Sequence, residues 1–307
     1  MKRLVSLAMA LLLVPATAAA ATDLGELLEG SHDASYSAEQ IISCSTPDGL
    51  RDAVVRIAQD GGDIWIGSSA SGDVEVATGE GGWSLLRGGG VVKSALLEAG
   101  EDALEALYSV EDLGEAQFLG RPATAHQLVR DGVLRAELVF DDETGALVEA
   151  TTFLEDGETY CERRFVSFDT TPPNLASVDS ATGDGPSVAA VEASILPDSI
   201  LGFERLDLYE DTDGSTFAYY SDGFFSFAVF ETPSTVTLPA AVSVDLGGSV
   251  YERSFTAGQA TYVWETRTGG MALVGDLPPD LHVAVLASLP ASETPGLLRR
   301  LWRSLFG

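Results

Sequence analysis

The stretch VLRAELVFDDETGALVEATTF, residues 133–153, decides the fold class of this chain. Its first half carries apolar residues at every second position, which is the period of a strand with one buried face. Those residues are Leu134, Ala136, Leu138 and Phe140. Asp141 to Gly145 then supplies the Asp and Gly residues that hairpin turns favour, and a second β-rich run follows. The stretch therefore predicts two antiparallel strands that cover one side of a core.

Short apolar runs separated by turn residues continue on both sides of this hairpin. Helices are predicted at residues 23–31 and 93–110, where Ala, Leu and Glu are frequent. Strands are predicted at residues 36–45, 50–59, 63–67, 74–77, 83–86, 115–119, 122–130 and 160–168. A spacing of about ten residues between turns predicts a meandering antiparallel sheet, with the longer helix lying across it.

Composition divides the chain into two domains. Residues 171–187 are rich in Pro, Gly, Ser and Asp, which is typical of a linker. They separate a first domain at 22–170 from a second at 188–290, which has further short strands and a late helix at 281–289. The predicted fold class is α+β, with an antiparallel sheet domain followed by a smaller antiparallel α+β domain.

The N-terminus has the order of a secretory signal peptide. Met1 to Arg3 is cationic, Leu4 to Val14 is almost wholly apolar, and Ala16 to Ala21 is made of small residues. The apolar run is shorter than the ~20 residues that a membrane span needs. Residues 1–21 are therefore predicted to direct export, with a buried first helix as the alternative.

The charge balance narrows the range of partners. The chain has 47 Asp and Glu against 17 Lys and Arg, which gives a formal net charge of −30. Nucleic acid is excluded as a partner because phosphate binding needs a basic patch.

Two cysteines, Cys44 and Cys161, remain to be placed. In an oxidising compartment they are predicted to form one disulfide, with two buried free thiols as the alternative. A loop of this length would give the bond roughly 4–5 kcal/mol as an upper figure.

The residues that carry enzyme chemistry lack the spacing that such chemistry requires. The three histidines, His32, His126 and His282, belong to no nucleophile or zinc motif. The two cysteines are too far apart to start a zinc site. The sequence therefore predicts a protein that is not an enzyme and that holds neither a metal nor a cofactor.

Several stretches of the chain carry motifs of one known protein family. The strand from Phe217 to Phe230, FAYYSDGFFSFAVF, is similar to that family's "YSDG…SFSVF" strand. Leu196 to Phe203 is similar to its "LP.GF" segment. Gly120 to Ala123 and Leu138 to Leu147 are similar to its "GR.A….W.D..TGL.L" hairpin. These motifs follow one another in the family's order over most of the chain, and the sequence thus resembles the MucB/RseB family, which regulates the extracytoplasmic sigma-E factor.

The resemblance implies a fold, a partner and a site. The first domain would be a curved antiparallel half-barrel covered by helices, as in the lipoprotein carrier LolA. The partner would be the extracytoplasmic domain of an anti-sigma factor, and lipid or lipoprotein acyl chains would be sensed. Partner binding is assigned to the best-matching motif, which comprises Tyr220, Ser221, Asp222, Gly223 and Phe224.

In a curved sheet, alternate side chains would line a concave face able to take an acyl chain. The predicted lining is Trp65, Trp83, Leu138, Phe140 and Phe153. The alternative is that these residues fill a core.

The tail at residues 291–307 has the pattern of a short cationic amphipathic helix. Its apolar and cationic residues are Leu298, Arg299, Arg300, Leu301, Trp302, Arg303, Leu305 and Phe306. Such a helix would contact a membrane surface or a partner, or it would pack on the protein itself.

Two function hypotheses follow from these observations. The first is an exported, periplasmic or extracytoplasmic regulator that binds an anti-sigma factor at the outer face of the cytoplasmic membrane. The second is a carrier or sensor of lipids or lipoproteins with no role in sigma-factor signalling. A hydrolase has no supporting motif.

Overall fold

A computed structural model describes most of the chain between Leu24 and Ser292. The described residues are 24–46, 49–61, 63–68, 74–79, 82–87, 90–94, 104, 106–171, 189–190, 196–210, 214–238, 241–256, 259–267 and 269–292. The predicted signal peptide, most of the predicted linker and the whole cationic stretch of the tail lie outside these residues. Within them, no helix is long and apolar enough to cross a membrane.

The described residues form two helices and two antiparallel sheets. The helices are α1, Leu24–His32, and α2, Pro279–Ser288. The strands of the first sheet, β1 to β11 in chain order, are Ser35–Thr46, Gly49–Asp60, Asp63–Ser68, Val74–Gly79, Gly82–Arg87, Gly90–Ser94, Ser109–Phe118, Arg121–Arg130, Val133–Asp141, Leu147–Phe153 and Thr159–Asp169. The strands of the second sheet, β12 to β20, are Ala189–Ala190, Ser199–Ile200, Phe203–Glu210, Thr216–Ser221, Ser226–Thr232, Val242–Leu246, Ser249–Thr256, Gln259–Glu265 and Gly270–Gly275.

The first sheet consists of two meanders that meet in its middle. The order of its eleven described strands is β6-β5-β4-β3-β2-β1-β11-β10-β9-β8-β7. One meander runs outward from β1 to β6, the other returns from β7 to β11, and β1 pairs with β11 where they join. The hairpin of β9 and β10 is confirmed, with Phe140 opposite Leu147 and Leu138 opposite Ala150.

Aromatic contacts show that the first sheet is strongly curved. In a flat sheet β7 and β11 would lie roughly 19 Å apart, because four spacings of about 4.8 Å separate them. Yet the ring of Phe118 on β7 lies 5.7 Å from that of Phe168 on β11, and Phe165 and Tyr36 join the same cluster. The predicted curved half-barrel is therefore present, and these rings fill part of it.

Helical residues cover the apolar side of the hairpin. Leu24 of α1 packs in one cluster with Leu138 and Phe140, and Leu104 and Tyr108 complete that cluster. The predicted helix at 93–110 was wrong at both ends, because β6 includes Lys93 and Ser94 and β7 begins at Ser109. Between those strands, the described residues 104 and 106–107 are helical.

The second sheet has a core of its own beneath α2. Phe203, Tyr220 and Phe227 are buried together with Trp264, and Leu286 of α2 closes the cluster. The described strands of this sheet follow the order β12-β14-β15-β16-β20-β19-β18-β17, with β13 beside β14. The observed α+β class, with a curved first sheet and a smaller second sheet, is the one that the sequence predicts.

Acid should destabilise the second sheet through His282 on α2. His282 is buried, its ring lies 5.3 Å from that of Tyr262, and burial lowers its pKa to about 4. The unfolded chain binds the proton near pH 6.5. Stability should therefore fall between pH 6.5 and 4, where only the unfolded chain is protonated, by roughly 2–3 kcal/mol.

Urea unfolding at pH 7 and pH 4.5 measures this loss of stability. The matched variant His282→Leu lacks the titrating ring, so its loss over the same pH interval should be smaller by about that amount. Equal losses in the two proteins would contradict the assignment to His282.

Candidate functional site

The Ser-Asp-Gly turn after β15 joins the second sheet to the first. Asp222 is fully buried, and its Oδ2 accepts a hydrogen bond from Arg130 Nη1 at 2.7 Å and another from Tyr108 Oη at 2.6 Å. Its Oδ1 accepts the backbone N–H groups of Phe224 and Phe225 at 3.0 and 2.7 Å. We call Tyr108, Arg130 and Asp222 the joint. Arg130 belongs to the first sheet and Tyr108 directly precedes strand β7 of that sheet, whereas Asp222 follows β15 of the second sheet.

Arg130, the last residue of β8, makes further contacts with the second sheet. Its Nη2 donates to the carbonyl oxygen of Leu201 at 2.6 Å. Its guanidinium lies 5.8 Å from the ring centroid of Tyr108 and 5.4 Å from that of Phe203, within the range of cation–π attraction. The charge of Arg130 is therefore compensated by a carboxylate, a carbonyl and two aromatic rings.

Gly223 permits this close approach. Its φ of +91° is one that L side chains rarely adopt, and an added Cβ would lie 2.8 Å from the Cβ of Leu104. No larger residue fits without displacing Leu104, so the turn requires glycine next to Asp222.

Burial and hydrogen bonding act in opposite directions on the carboxyl of the joint. Burial raises the pKa of Asp222, while the hydrogen bonds from Tyr108 and from the backbone, together with the charge of Arg130, act to lower it. Burial is also the largest cause of the raised pKa of Tyr108, with the neighbouring carboxylate second. Tyr108 is therefore a neutral donor to Asp222 at physiological pH.

Two further arginine–aspartate pairs connect the same two sheets. Arg135 of β9 contacts Asp280 of α2 at 2.7 Å. Arg163 of β11 lies 3.5 Å from Asp276, which follows β20. With the joint, three arginines of the first sheet face three aspartates of the second half across the described interface, although the chain is strongly acidic overall.

A cavity of about 220 Å³ lies beside the joint, between α1, the first sheet and the Ser-Asp-Gly turn. Its apolar walls are Leu28, Leu147, Ala150, Phe224 and Phe225. Its polar walls include Gln40, Glu149, Arg163 and Asp276. We call it the joint cavity, because residues from both halves of the molecule enclose it.

The structure places the five predicted partner-binding residues at the end of β15 and in the Ser-Asp-Gly turn that follows it. Tyr220 and Ser221 are buried, where Tyr220 Oη donates to the carbonyl oxygen of Pro197 at 2.8 Å and Ser221 Oγ donates to that of Phe225 at 3.2 Å. Asp222 is committed to the joint. Gly223 and Phe224 line the joint cavity, and so only these two are placed to meet a guest molecule.

The structure describes the side chains of three of the five residues predicted to line an acyl-chain hollow. Leu138, Phe140 and Phe153 are all buried, and leucines of α1 pack over the first two. The environment of these three residues is that of a core, which is the alternative given for them above. The side chains of Trp65 and Trp83 lie outside the described residues.

An open groove of about 380 Å³ lies elsewhere on the first sheet, along β1, β2 and β11. Ala38, Ile57, Ala58 and Phe168 provide its apolar residues, and Arg56 and Asp169 are among its polar ones.

The disulfide is confirmed. Cys44 and Cys161 are directly opposite each other on β1 and β11, with their Cα atoms 4.1 Å apart, and both are buried. The bond therefore fastens the strand pair at which the two meanders meet.

Most residues at the interface between the two sheets were not predicted from the sequence. Tyr108, Arg130, Arg135, Arg163 and Asp276 belong to no motif, and their partners are distant in sequence. The one available signal was the placement of arginines within strands of a chain that has few cations.

His126 and His282 are buried against Phe140 and Tyr262. No group of three or more His, Cys, Asp or Glu residues is arranged in the described part of the chain to hold a metal ion.

The geometry defines a class: proteins with a curved antiparallel first sheet and a smaller antiparallel second sheet held against it by charged pairs. Comparison with solved structures shows that the chain has the fold of MucB. The complex of MucA and MucB from Pseudomonas aeruginosa is 17% identical, covers 88% of this chain and 98% of its own, and has a TM-score of 0.54. A crystal structure of MucB alone is 19% identical, covers 86% and 94%, and has a TM-score of 0.55.

A second complex, of MucB with MucA(peri), gives a TM-score of 0.52 at 18% identity, with 88% of this chain covered and 98% of that chain. No family model matches the sequence, and no curated protein matches it. The resemblance to MucB that the motifs suggest is thus confirmed in the fold.

Proposed function

We propose that this chain is an exported, non-enzymatic binding protein that holds the extracytoplasmic domain of an anti-sigma factor and so regulates an extracytoplasmic sigma factor. The observation that carries the proposal is the MucB fold over 88% of the chain, in a protein solved as a complex with MucA. The signal-peptide pattern at residues 1–21 supports a location outside the cytoplasm.

The charge of the chain supports a cationic partner segment. A formal net charge of −30 attracts cations over long distances and speeds their association at low salt. Binding to the anti-sigma factor should therefore weaken as the salt concentration rises.

Isothermal titration calorimetry with the extracytoplasmic domain of anti-sigma factors from the source organism tests the proposal. We expect one domain to bind with a dissociation constant in the micromolar range or below, and binding to weaken in high salt. Absence of binding by every such domain, at low and high salt, would overturn the regulatory role.

Lipid binding is a second candidate function, and the open groove on β1, β2 and β11 favours it. Its volume of about 380 Å³ falls within the ~300–1,000 Å³ typical of small-molecule sites. Native mass spectrometry and uptake of a fluorescent fatty acid test this role, and Ala58→Leu, which fills the groove, should reduce uptake. No uptake by the native chain would remove the candidate.

Peripheral membrane contact through the tail completes the proposal. Each arginine near an anionic membrane surface contributes ~1 kcal/mol. Replacing Arg299, Arg300 and Arg303 by alanine should therefore lower the partition coefficient onto vesicles containing anionic lipid on the order of a hundredfold. Equal co-sedimentation of the variant and the native chain would show that the tail does not mediate contact.

A further inference from the structure

We infer that the tail beyond Ser292 docks on the outward face of the second sheet of the same chain, and that an anionic membrane competes with this face for the tail. Such docking is independent of anti-sigma binding, so it goes beyond the proposed function. Four observations support it: the apolar surface of the face, its charge, the place where the described chain ends, and the residue pattern of the tail.

The outward face of the second sheet presents apolar surface that the core of that sheet does not use. Alternate residues of its strands point toward α2 and form one core, so the residues between them point outward. The strand register places four outward residues in neighbouring rows at the centre of the sheet: Ala228, Phe230, Thr261 and Val274. All four are half-buried, and the three apolar ones belong to none of the hydrophobic clusters that the described residues form.

The connection between β16 and β17 covers one end of this face. It passes over Gly270, where an added Cβ would lie 2.9 Å from the backbone nitrogen of Val236. Ala272 and Val263, two residues further along β20 and β19, are buried. The half-buried residues that remain for docking therefore lie toward the centre of the sheet.

The outward face carries carboxylates and no cation at its described strand positions. Asp245 on β17 and Glu252 on β18 point outward and are exposed. The strands β12 to β20 contain two arginines and no lysine. Both arginines, Arg205 and Arg253, lie opposite inward tyrosines of the neighbouring strands. A cationic segment would therefore complement the charge of this face.

The described chain ends beside the same face. Ser292 Oγ donates to the carbonyl oxygen of Val250 at 2.7 Å, and Val250 points outward and is 41% exposed. Trp264 Nε1 donates to the carbonyl oxygen of Pro290 at 2.9 Å, which fixes the preceding residues. Three strand spacings of about 4.8 Å separate β18 from β16, and the five residues from Ser292 to Leu297 can span ~16 Å. Leu297 can therefore reach the centre of the face.

The tail has the pattern that complements this face. Its apolar residues follow helical spacing and are Leu297, Leu298, Leu301, Trp302, Leu305 and Phe306. Its cations are Arg299, Arg300 and Arg303, and no Asp or Glu follows Glu293. A ten-residue helix is about 15 Å long, which is close to the three strand spacings between β18 and β16. The apolar stripe cannot contact the sheet and a membrane together, so the two contacts exclude each other.

Double electron–electron resonance on the full chain measures this docking. One nitroxide is attached at Ser243→Cys, an exposed outward position of β17, and the other at Ser304→Cys in the tail. The native cysteines are bonded to each other and do not react with the label. We expect one narrow distance below about 35 Å, because the sheet spans about 24 Å from β17 to β15. Vesicles containing anionic lipid should broaden this distance, whereas neutral vesicles should leave it unchanged.

Charge reversal tests whether this face holds the tail. Asp245→Arg with Glu252→Arg should lower the fraction of chains with the narrow distance at least fivefold, because both positions would then repel the tail. Replacing the three tail arginines by glutamate in the same variant should restore that fraction. The matched control Glu111→Arg with Glu137→Arg changes two exposed carboxylates of the first sheet, and it should have no effect.

Each of four results would overturn the inference. A broad distance without vesicles would leave the tail as a membrane contact only. An unchanged narrow fraction in Asp245→Arg with Glu252→Arg would place the tail on another surface. A narrow distance that disappears when labelled chains are diluted with unlabelled ones would mean that the tail of a second copy covers the face. A narrow distance that persists with saturating anionic vesicles would show that the membrane does not compete.

Two further measurements separate docking from unfolding and from the proposed function. Urea midpoints of the charge variants within error of the native value exclude unfolding as the cause of a lost distance. Calorimetry with the anti-sigma domain reports on the proposed function alone. A chain that binds the domain without the narrow distance retains the proposed function, and a chain with the narrow distance that binds no such domain retains the docked tail.

Discussion

Replacing Asp222 by alanine is expected to lower the free energy of unfolding by about 3–5 kcal/mol. Asp222 is fully buried, and its loss leaves Arg130, of which 8% is exposed, without its carboxylate partner. The Tyr108 hydroxyl and the two backbone N–H groups that Asp222 accepts would also lose their acceptor. Urea unfolding of the native chain and the variant measures the loss.

Two further variants serve as controls for this prediction. Arg164→Ala removes an exposed arginine 3.8 Å from Glu162 on the same strand, and it should cost no more than about 1 kcal/mol. The double variant Arg130→Met with Asp222→Ala should be more stable than Asp222→Ala alone, because it leaves no unpaired buried charge. A cost below 1 kcal/mol for Asp222→Ala would show that the joint contributes little to stability.

The joint gives structural roles to the residues of the motif to which partner binding was assigned. Tyr220 and Ser221 complete the core and the turn, Asp222 receives Arg130, and Gly223 provides the backbone conformation next to Leu104. Each of these residues has a structural task that does not involve a partner. Their assignment to partner binding stays a prediction, and Gly223 and Phe224 at the joint cavity are the members that support it.

Local patterns were sufficient to predict most of the longer strands, although β6 and β20 were missed. The alternation from Leu134 to Phe140 predicted a buried face, and α1 covers that face. The extra residue Val148, which shifts the register of the hairpin, was not predicted. Its side chain packs instead with Phe165 in the aromatic cluster of the curved sheet, a contact that only the whole sheet creates.

The interface between the sheets could not be predicted because its partners are far apart in sequence. The hydrogen bonds of Asp222 join residues separated by 92 and 114 positions, and that of Arg135 spans 145. An arginine in a strand carries no local sign of which distant aspartate it will face. The same reasoning holds for the joint cavity, whose walls come from six separate segments of the chain.

Cys44 and Cys161 were predictable as a pair from their number and from the export signal, and their position gives the second large expected effect. The bond links residues 117 positions apart and fastens β1 to β11, the contact that unites the two meanders. Its removal in a Cys44→Ala, Cys161→Ala double variant should lower the free energy of unfolding by about 4 kcal/mol, since the unfolded chain regains the freedom of a very long loop.

Urea unfolding with and without dithiothreitol measures this effect with a built-in control. The reductant should lower the midpoint of the native chain toward that of the double variant and leave the variant unchanged, because the chain has only two cysteines. Both cysteines are buried, so reduction of the disulfide in the folded chain should be slow and should follow the rate of unfolding. A native midpoint that is unaffected by complete reduction would mean that strand pairing and the aromatic cluster hold the two meanders together without the bond.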